Sequence, residues 1–117
     1  MRAVVIEEPD LAVVKDLQVD PPGPNDVIVD VKACGFCGTD LHIFRGEYLG
    51  GYPVIPGHEA AGVVSAVGSK VDAFAAGDRV AVEPNILCGT CLFCRTGRGN
   101  FCENWRALGV TLPGCMA

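Results

Sequence analysis

A mainly β domain of the barrel type is what this sequence predicts, and three observations carry the prediction. Its apolar, β-branched stretches are short; 15 glycines and 8 prolines punctuate them at recurring intervals; and no segment sustains a helical period. With 117 residues, half of them hydrophobic, the chain can build one core. A domain of this size buries roughly two-thirds of its unfolded surface, so disulfide staples are not forced by size.

Taken in order, residues 1 to 6 and 11 to 19 are apolar and rich in β-branched side chains, and they read as a hairpin or strand pair. The cluster "DPPGPND", residues 20 to 26, ends that unit with turn residues. From 27 to 33 the alternation is clear: Val27, Val29, Val31 and Ala33 share one face, while Asp30 and Lys32 fall on the other. The segment "GTDLHIFRG", residues 38 to 46, predicts a turn of helix capped by Thr39 or Asp40. Residues 57 to 67 and 78 to 82 read as further strands, joined by the small residues of 68 to 77. The ending, "GVTLPGCMA", stops in a strand-like stretch without terminal punctuation and reads as a truncation.

Charge and pattern narrow the function. Nine Lys and Arg against 14 Asp and Glu give a net charge of -5 with no basic run, which argues against nucleic acid as a partner. A four-residue apolar run near the start is followed at once by Glu7 and Glu8, so no signal-peptide core or membrane span is expected there, and the chain reads as cytoplasmic. No G-x-G-x-x-G follows a strand; the string from Gly97 to Cys102 lacks the third glycine, so a dinucleotide fold is not expected within these residues.

The chemistry concentrates in cysteine. "CGTCLFCRTGRGNFC" holds Cys88, Cys91, Cys94 and Cys102 in the order C-x2-C-x2-C-x7-C. In a reducing compartment such a cluster reads as a metal or redox centre, and four thiolates on one glycine-rich loop suit tetrahedral zinc. An iron–sulfur cluster is the rival, weakened because the fourth cysteine comes after seven residues and is followed by Glu103 instead of proline. Four protein ligands leave no open position, so this zinc is expected to be structural.

Upstream, "CGFCGTDLH" and "PGHEAAGVVSAVG" contain the only two histidines, His42 and His58. Cys37 and His58, with the carboxylate of Glu59, would form an incomplete tetrahedral set, which is the condition for catalytic zinc. Standing alone, a His in an apolar stretch is more often a hydrogen-bonded core residue, and a buried Cys more often inert.

The whole pattern resembles the zinc-containing medium-chain alcohol dehydrogenases. "GHE", Gly62 and Gly68 match their signature, "CGTDLHIFRGEY" is similar to their first catalytic-zinc segment, and "GDRVAVEPN" with the cysteine loop resembles their structural-zinc lobe. Within the family, "VEPNILCGTCLFCRTGRGNFCEN" is similar to the polyol, sorbitol and threonine dehydrogenase branch. The resemblance implies a GroES-like, partly open β-barrel with short helices and a zinc-binding lobe at residues 84 to 104, the N-terminal catalytic domain covering 1 to 117.

Roles follow from the same resemblance. Cys37, His58 and Glu59 would hold catalytic zinc, Glu59 in direct contact or just behind. Asp40 would accept a hydrogen bond from the far ring nitrogen of His58, fixing its tautomer. Thr39 would hydrogen-bond the zinc-bound alcohol, and His42 would pass its proton to solvent through the cofactor ribose. The implied reaction is oxidation of a primary or secondary alcohol or polyol, a small molecule, by hydride transfer to NAD or NADP bound on a separate domain. The residues 1 to 117 alone are then expected to be inactive, and the full-length enzyme to be a homo-oligomer. The alternative is a stand-alone zinc-stabilised β-module without catalysis. Phe44, Tyr48 and Trp105 would either line a substrate pocket or pack ordinarily, and packing is favoured.

Overall fold

The computed structural model describes residues 1–117. Seven strands and two short helices follow one another: β1 (Arg2–Glu8), β2 (Leu11–Asp16), β3 (Val27–Gly35), α1 (Gly38–Phe44), β4 (Glu59–Val67), β5 (Arg79–Ala81), β6 (Asn85–Ile86), α2 (Leu92–Arg95) and β7 (Arg106–Ala107). A 3-10 turn spans Gly99–Phe101. No helix is long and apolar enough to cross a membrane.

All three sheets are antiparallel. β1 and β2 form the expected hairpin, Arg2 opposite Asp16 and Val5 opposite Val13. Strand β2 stops at Asp16, short of the Val19 that hydropathy alone includes. The second sheet has the order β3-β4-β5, and β6 pairs with β7. Ile6 bridges to Val54, and the Val4 N–H donates to the Met116 carbonyl at 2.8 Å, so the hairpin is tied to later chain on both sides. The partly open barrel follows from these ties between sheets.

In β3 the alternation holds at Val29, Asp30, Val31 and Lys32, then fails at Ala33, which is exposed. A register shift between Val31 and Ala33 explains the break, because an extra residue in one strand turns the next side chain to the other face. The core gathers Ile6, Ile43, Val54, Ala107 and Val110, with Phe44, Tyr52 and Trp105 packed against it. It therefore joins β1, α1 and the β7 region, and fixes the helix that carries the first set of candidate ligands.

Two glycines of the signature are close approaches between backbones. A Cβ at Gly62 would run into the Asp30 carbonyl, its carbon 3.0 Å away, and one at Gly68 would lie 2.5 Å from the Pro24 carbonyl oxygen. Both positions let β4 pass against the strand and turn preceding the site, so any side chain there pushes on backbone.

Candidate metal centres

Cys37 is the N-cap of helix α1. Its Sγ accepts the Thr39 N–H at 3.3 Å, and the Asp40 carboxylate takes the Cys37 N–H at 3.0 Å, which is a capping box. The cap is thus Cys37 instead of Thr39 or Asp40; a thiol serves because Asp40, three residues on, supplies the stronger acceptor. Asp40 is 1% exposed, and its other oxygen accepts the Gly57 N–H at 2.9 Å. One carboxylate therefore clamps the residue carrying the Cys37 thiol and the residue before His58.

That clamp brings three donors together. Ligand atoms of Cys37, His58 and Glu59 lie within 4.8 Å of one another, with Cys37 Sγ 3.1 Å from His58 Nε2. The opposite ring nitrogen, Nδ1, is buried, faces Asp40 Oδ1 at 3.6 Å and makes no hydrogen bond. Asp40 thus acts on the site through backbone N–H groups and holds Nδ1 at a distance longer than a hydrogen bond. A thiol, an imidazole nitrogen and a carboxylate make three donors, fewer than a closed tetrahedron, so the set fits a zinc ion with room for exogenous ligand.

Thr39 lies in the first turn of α1, half-buried. His42 lies in the last turn, exposed, with Nδ1 2.8 Å from Glu47 Oε2. Glu47 is a partner that sequence reading missed, although glycine at 46 followed by an acid, just past a helix ending near His42, was a readable signal. Phe44 and Trp105 pack on the core, and Trp105 Nε1 donates to Asn85 Oδ1 at 2.9 Å.

The second cluster is complete. Sγ atoms of Cys88, Cys91, Cys94 and Cys102 lie within 4.8 Å of one another, all reduced. Zinc–sulfur bonds of about 2.3 Å at tetrahedral angles put sulfurs about 3.8 Å apart. The Cys88–Cys94 separation is 3.9 Å. Donors this close span one ion, whereas an iron–sulfur cluster attaches its cysteines to separate irons.

Local hydrogen bonds prepare the thiols unequally. The Cys91 and Thr90 N–H groups, with the Thr90 hydroxyl at 3.6 Å, pull Cys88 down to about 5. The Cys94 and Glu103 N–H groups lower Cys91. Burial, reinforced by the neighbouring thiols, pushes Cys94 up to about 12. Thiolates crowded without a cation oppose one another's ionisation, and a bound divalent ion relieves that opposition.

Two cysteines stay outside both clusters. Burial raises Cys34, with the charges of Asp40 and Glu59 adding to it, and burial raises Cys115. Both are protonated at neutral pH. A cleft of about 340 Å³ between the hairpin and residues 51–55 and 110–113 contains none of the candidate ligands.

Known proteins match the chain over most of its length. The family described as alcohol dehydrogenase GroES-like domain matches residues 23–117. D-altritol 5-dehydrogenase of Agrobacterium fabrum is 47% identical over 100% of this chain and 35% of its own length. L-threonine 3-dehydrogenase of Deinococcus deserti is 43% identical over 87% of this chain and 31% of its own. A crystal structure from Sinorhizobium meliloti, assigned as a zinc-binding dehydrogenase and bound to NADP, superposes with a TM-score of 0.93 at 43% identity, covering 97% of this chain and 33% of that one. The chain spans about a third of the length of these curated relatives.

Proposed function

The chain belongs to the alcohol dehydrogenase GroES-like domain family, and from that membership we propose that residues 1 to 117 form the catalytic domain of a zinc-dependent alcohol or polyol dehydrogenase. The observation that carries the proposal is the convergence of Cys37, His58 and Glu59 under the buried Asp40 clamp, in a chain that also holds a separate four-thiol site. Cys88, Cys91, Cys94 and Cys102, within a lobe at residues 84 to 104, would hold a structural zinc. Cys37, His58 and Glu59 would hold a catalytic one.

Zinc held by Cys37, His58 and Glu59 would supply Lewis acidity, lowering the pKa of a coordinated hydroxyl toward neutrality as it does for water. The rest is done by the chain's own residues. Asp40 keeps the backbone at Cys37 and Gly57 in fixed relation, so Cys37 and His58 hold their separation as substrate enters and leaves. Thr39 orients the alcohol by hydrogen-bonding its hydroxyl, and His42, exposed to solvent, receives the departing proton. NAD or NADP, held by a dinucleotide-binding domain outside these residues, accepts the hydride. The polyol and threonine dehydrogenases among the relatives support a small hydroxylated substrate.

Turnover tests the proposal. A polypeptide carrying this chain and its dinucleotide-binding domain should reduce NAD or NADP when given a small polyol or hydroxy amino acid. Cys37→Ser should abolish that signal. Full activity in the Cys37→Ser protein would rule out the assigned centre.

A further inference from the structure

His42 and Glu47 are joined twice, once through the backbone and once through their side chains. Helix α1 ends in a Schellman arrangement: the Gly46 N–H donates to the Ile43 carbonyl at 3.1 Å, and the Glu47 N–H reaches back to the His42 carbonyl at 2.8 Å. Gly46 has φ +75°, the left-handed conformation this closure needs, and a Cβ there would lie 2.9 Å from Pro9 Cγ. The fold thereby sets residues 42 and 47 side by side, and Glu47 Oε2 lies 2.8 Å from His42 Nδ1.

The chemistry of the pair follows from donor counting. A neutral imidazole carries one N–H, and an ionised carboxylate only accepts. At 2.8 Å the proton between them therefore belongs to Nδ1, which leaves Nε2 with its lone pair. A histidine that relays a proton needs that free lone pair on the nitrogen away from its anchor.

We propose that Glu47 is a positioning residue for His42, biasing the neutral ring toward the Nδ1–H tautomer so that Nε2 is the nitrogen that takes up the proton. The role in turnover rests on the relay assigned to His42 above; the tautomer does not. In the step itself one proton bonds to Nε2 and gives an imidazolium beside the Glu47 carboxylate. The same nitrogen then loses it to solvent. Glu47 stays ionised and Nδ1 keeps its hydrogen, so the ring returns to its starting state.

Both side chains are about half exposed, 55% and 52%, which bounds the effect. Exposed pairs contribute about 0.2–1 kcal/mol, at most roughly a fivefold change in a population ratio. The experiment is nitrogen-15 NMR of the two imidazoles in the zinc-loaded chain at about pH 8.5, two units above the ordinary imidazole value. With His42 and His58 as the only histidines, a His42→Gln spectrum assigns the signals.

The expected result is an Nδ1–H to Nε2–H ratio for His42 that falls roughly 1.4- to fivefold in Glu47→Ala and is retained in Glu47→Gln, whose amide oxygen still accepts. In the dehydrogenase, Glu47→Ala should lower kcat by a similar factor with KM for the alcohol unchanged, and Glu47→Gln should restore it. An Nδ1–H to Nε2–H ratio that is unchanged or raised in Glu47→Ala overturns the proposal. A shifted tautomer with unchanged kcat overturns the positioning role. If His42→Gln is equally silent in turnover, the fault lies in the relay assignment and the pairing stands.

Discussion

Replacing Asp40 by Asn removes one charge and one acceptor while keeping shape, and the structure sets the size of the effect. The carboxylate is 1% exposed and receives a backbone N–H on each oxygen, from Cys37 at 3.0 Å and Gly57 at 2.9 Å. An asparagine offers one carbonyl oxygen; its amino group must face the other N–H, donor against donor. A buried donor left unsatisfied costs about 1–3 kcal/mol, and the lost bond was charge-assisted, so a loss of about 3 kcal/mol is expected. A domain of this length has roughly 5–15 kcal/mol in total, and the change should lower Tm by about 10 °C. Thermal unfolding of the zinc-loaded chain measures it, with Asp30→Asn, an exposed carboxylate on β3, as the control within about 0.5 kcal/mol of wild type. Zinc affinity at Cys37 and His58 should fall about 10–100-fold in the same variant. An Asp40→Asn chain that melts within about 2 °C of wild type would refute the shared-acceptor reasoning.

Three other outcomes follow from the same geometry. At pH 7 Cys88, pulled down to about 5, is already a thiolate, while Cys94, pushed up to about 12, is protonated. Zinc uptake by the lobe should therefore release about three protons or fewer, and its affinity should fall more steeply with acid once pH drops below about 5; calorimetry in buffers of different ionisation enthalpy reads the number, and four at pH 7 contradicts the assignment. Cys102→Ser removes one thiolate and weakens the acceptor for the Cys88 N–H, so zinc should leave the lobe and hydrogen-exchange protection should vanish at β6 and β7 while persisting where β3 pairs with β4; collapse of protection in both places together would contradict a separable lobe. Gly68→Ala drives a Cβ into the Pro24 carbonyl and should cost about 3 kcal/mol or more, whereas Gly51→Ala, with open space around it, should leave Tm unchanged; equal melting of the two would remove the close-packing account.

Much of the fold was legible because it is local. The hairpin of β1 and β2, the alternation in β3 and the four-cysteine loop all declare themselves within about ten to fifteen consecutive residues. What was not legible depends on contacts across the chain. Asp40 reads as a helix cap until its bond to Gly57, 17 residues away, shows it clamping two segments at once. Thiols are unusual caps, so the sequence points to Thr39 or Asp40 instead of Cys37, although the capping-box partner Asp40 stands three residues on. The two-residue strands β6 and β7 are too short for any periodicity; what defines them is their pairing across the lobe, Asn85 with Ala107 and Ile86 with Arg106. The break at Ala33 reflects a register shift, which is a property of two strands together.

Metal content under selective substitution tests the two-centre account most directly. Elemental analysis of the chain purified without added metal should give about two zinc ions per chain, with Cys37→Ser and Cys88→Ser each losing a different one and only Cys88→Ser unfolding the lobe. Zinc that survives Cys88→Ser and Cys37→Ser alike, or iron in its place, would contradict the assignment of both centres.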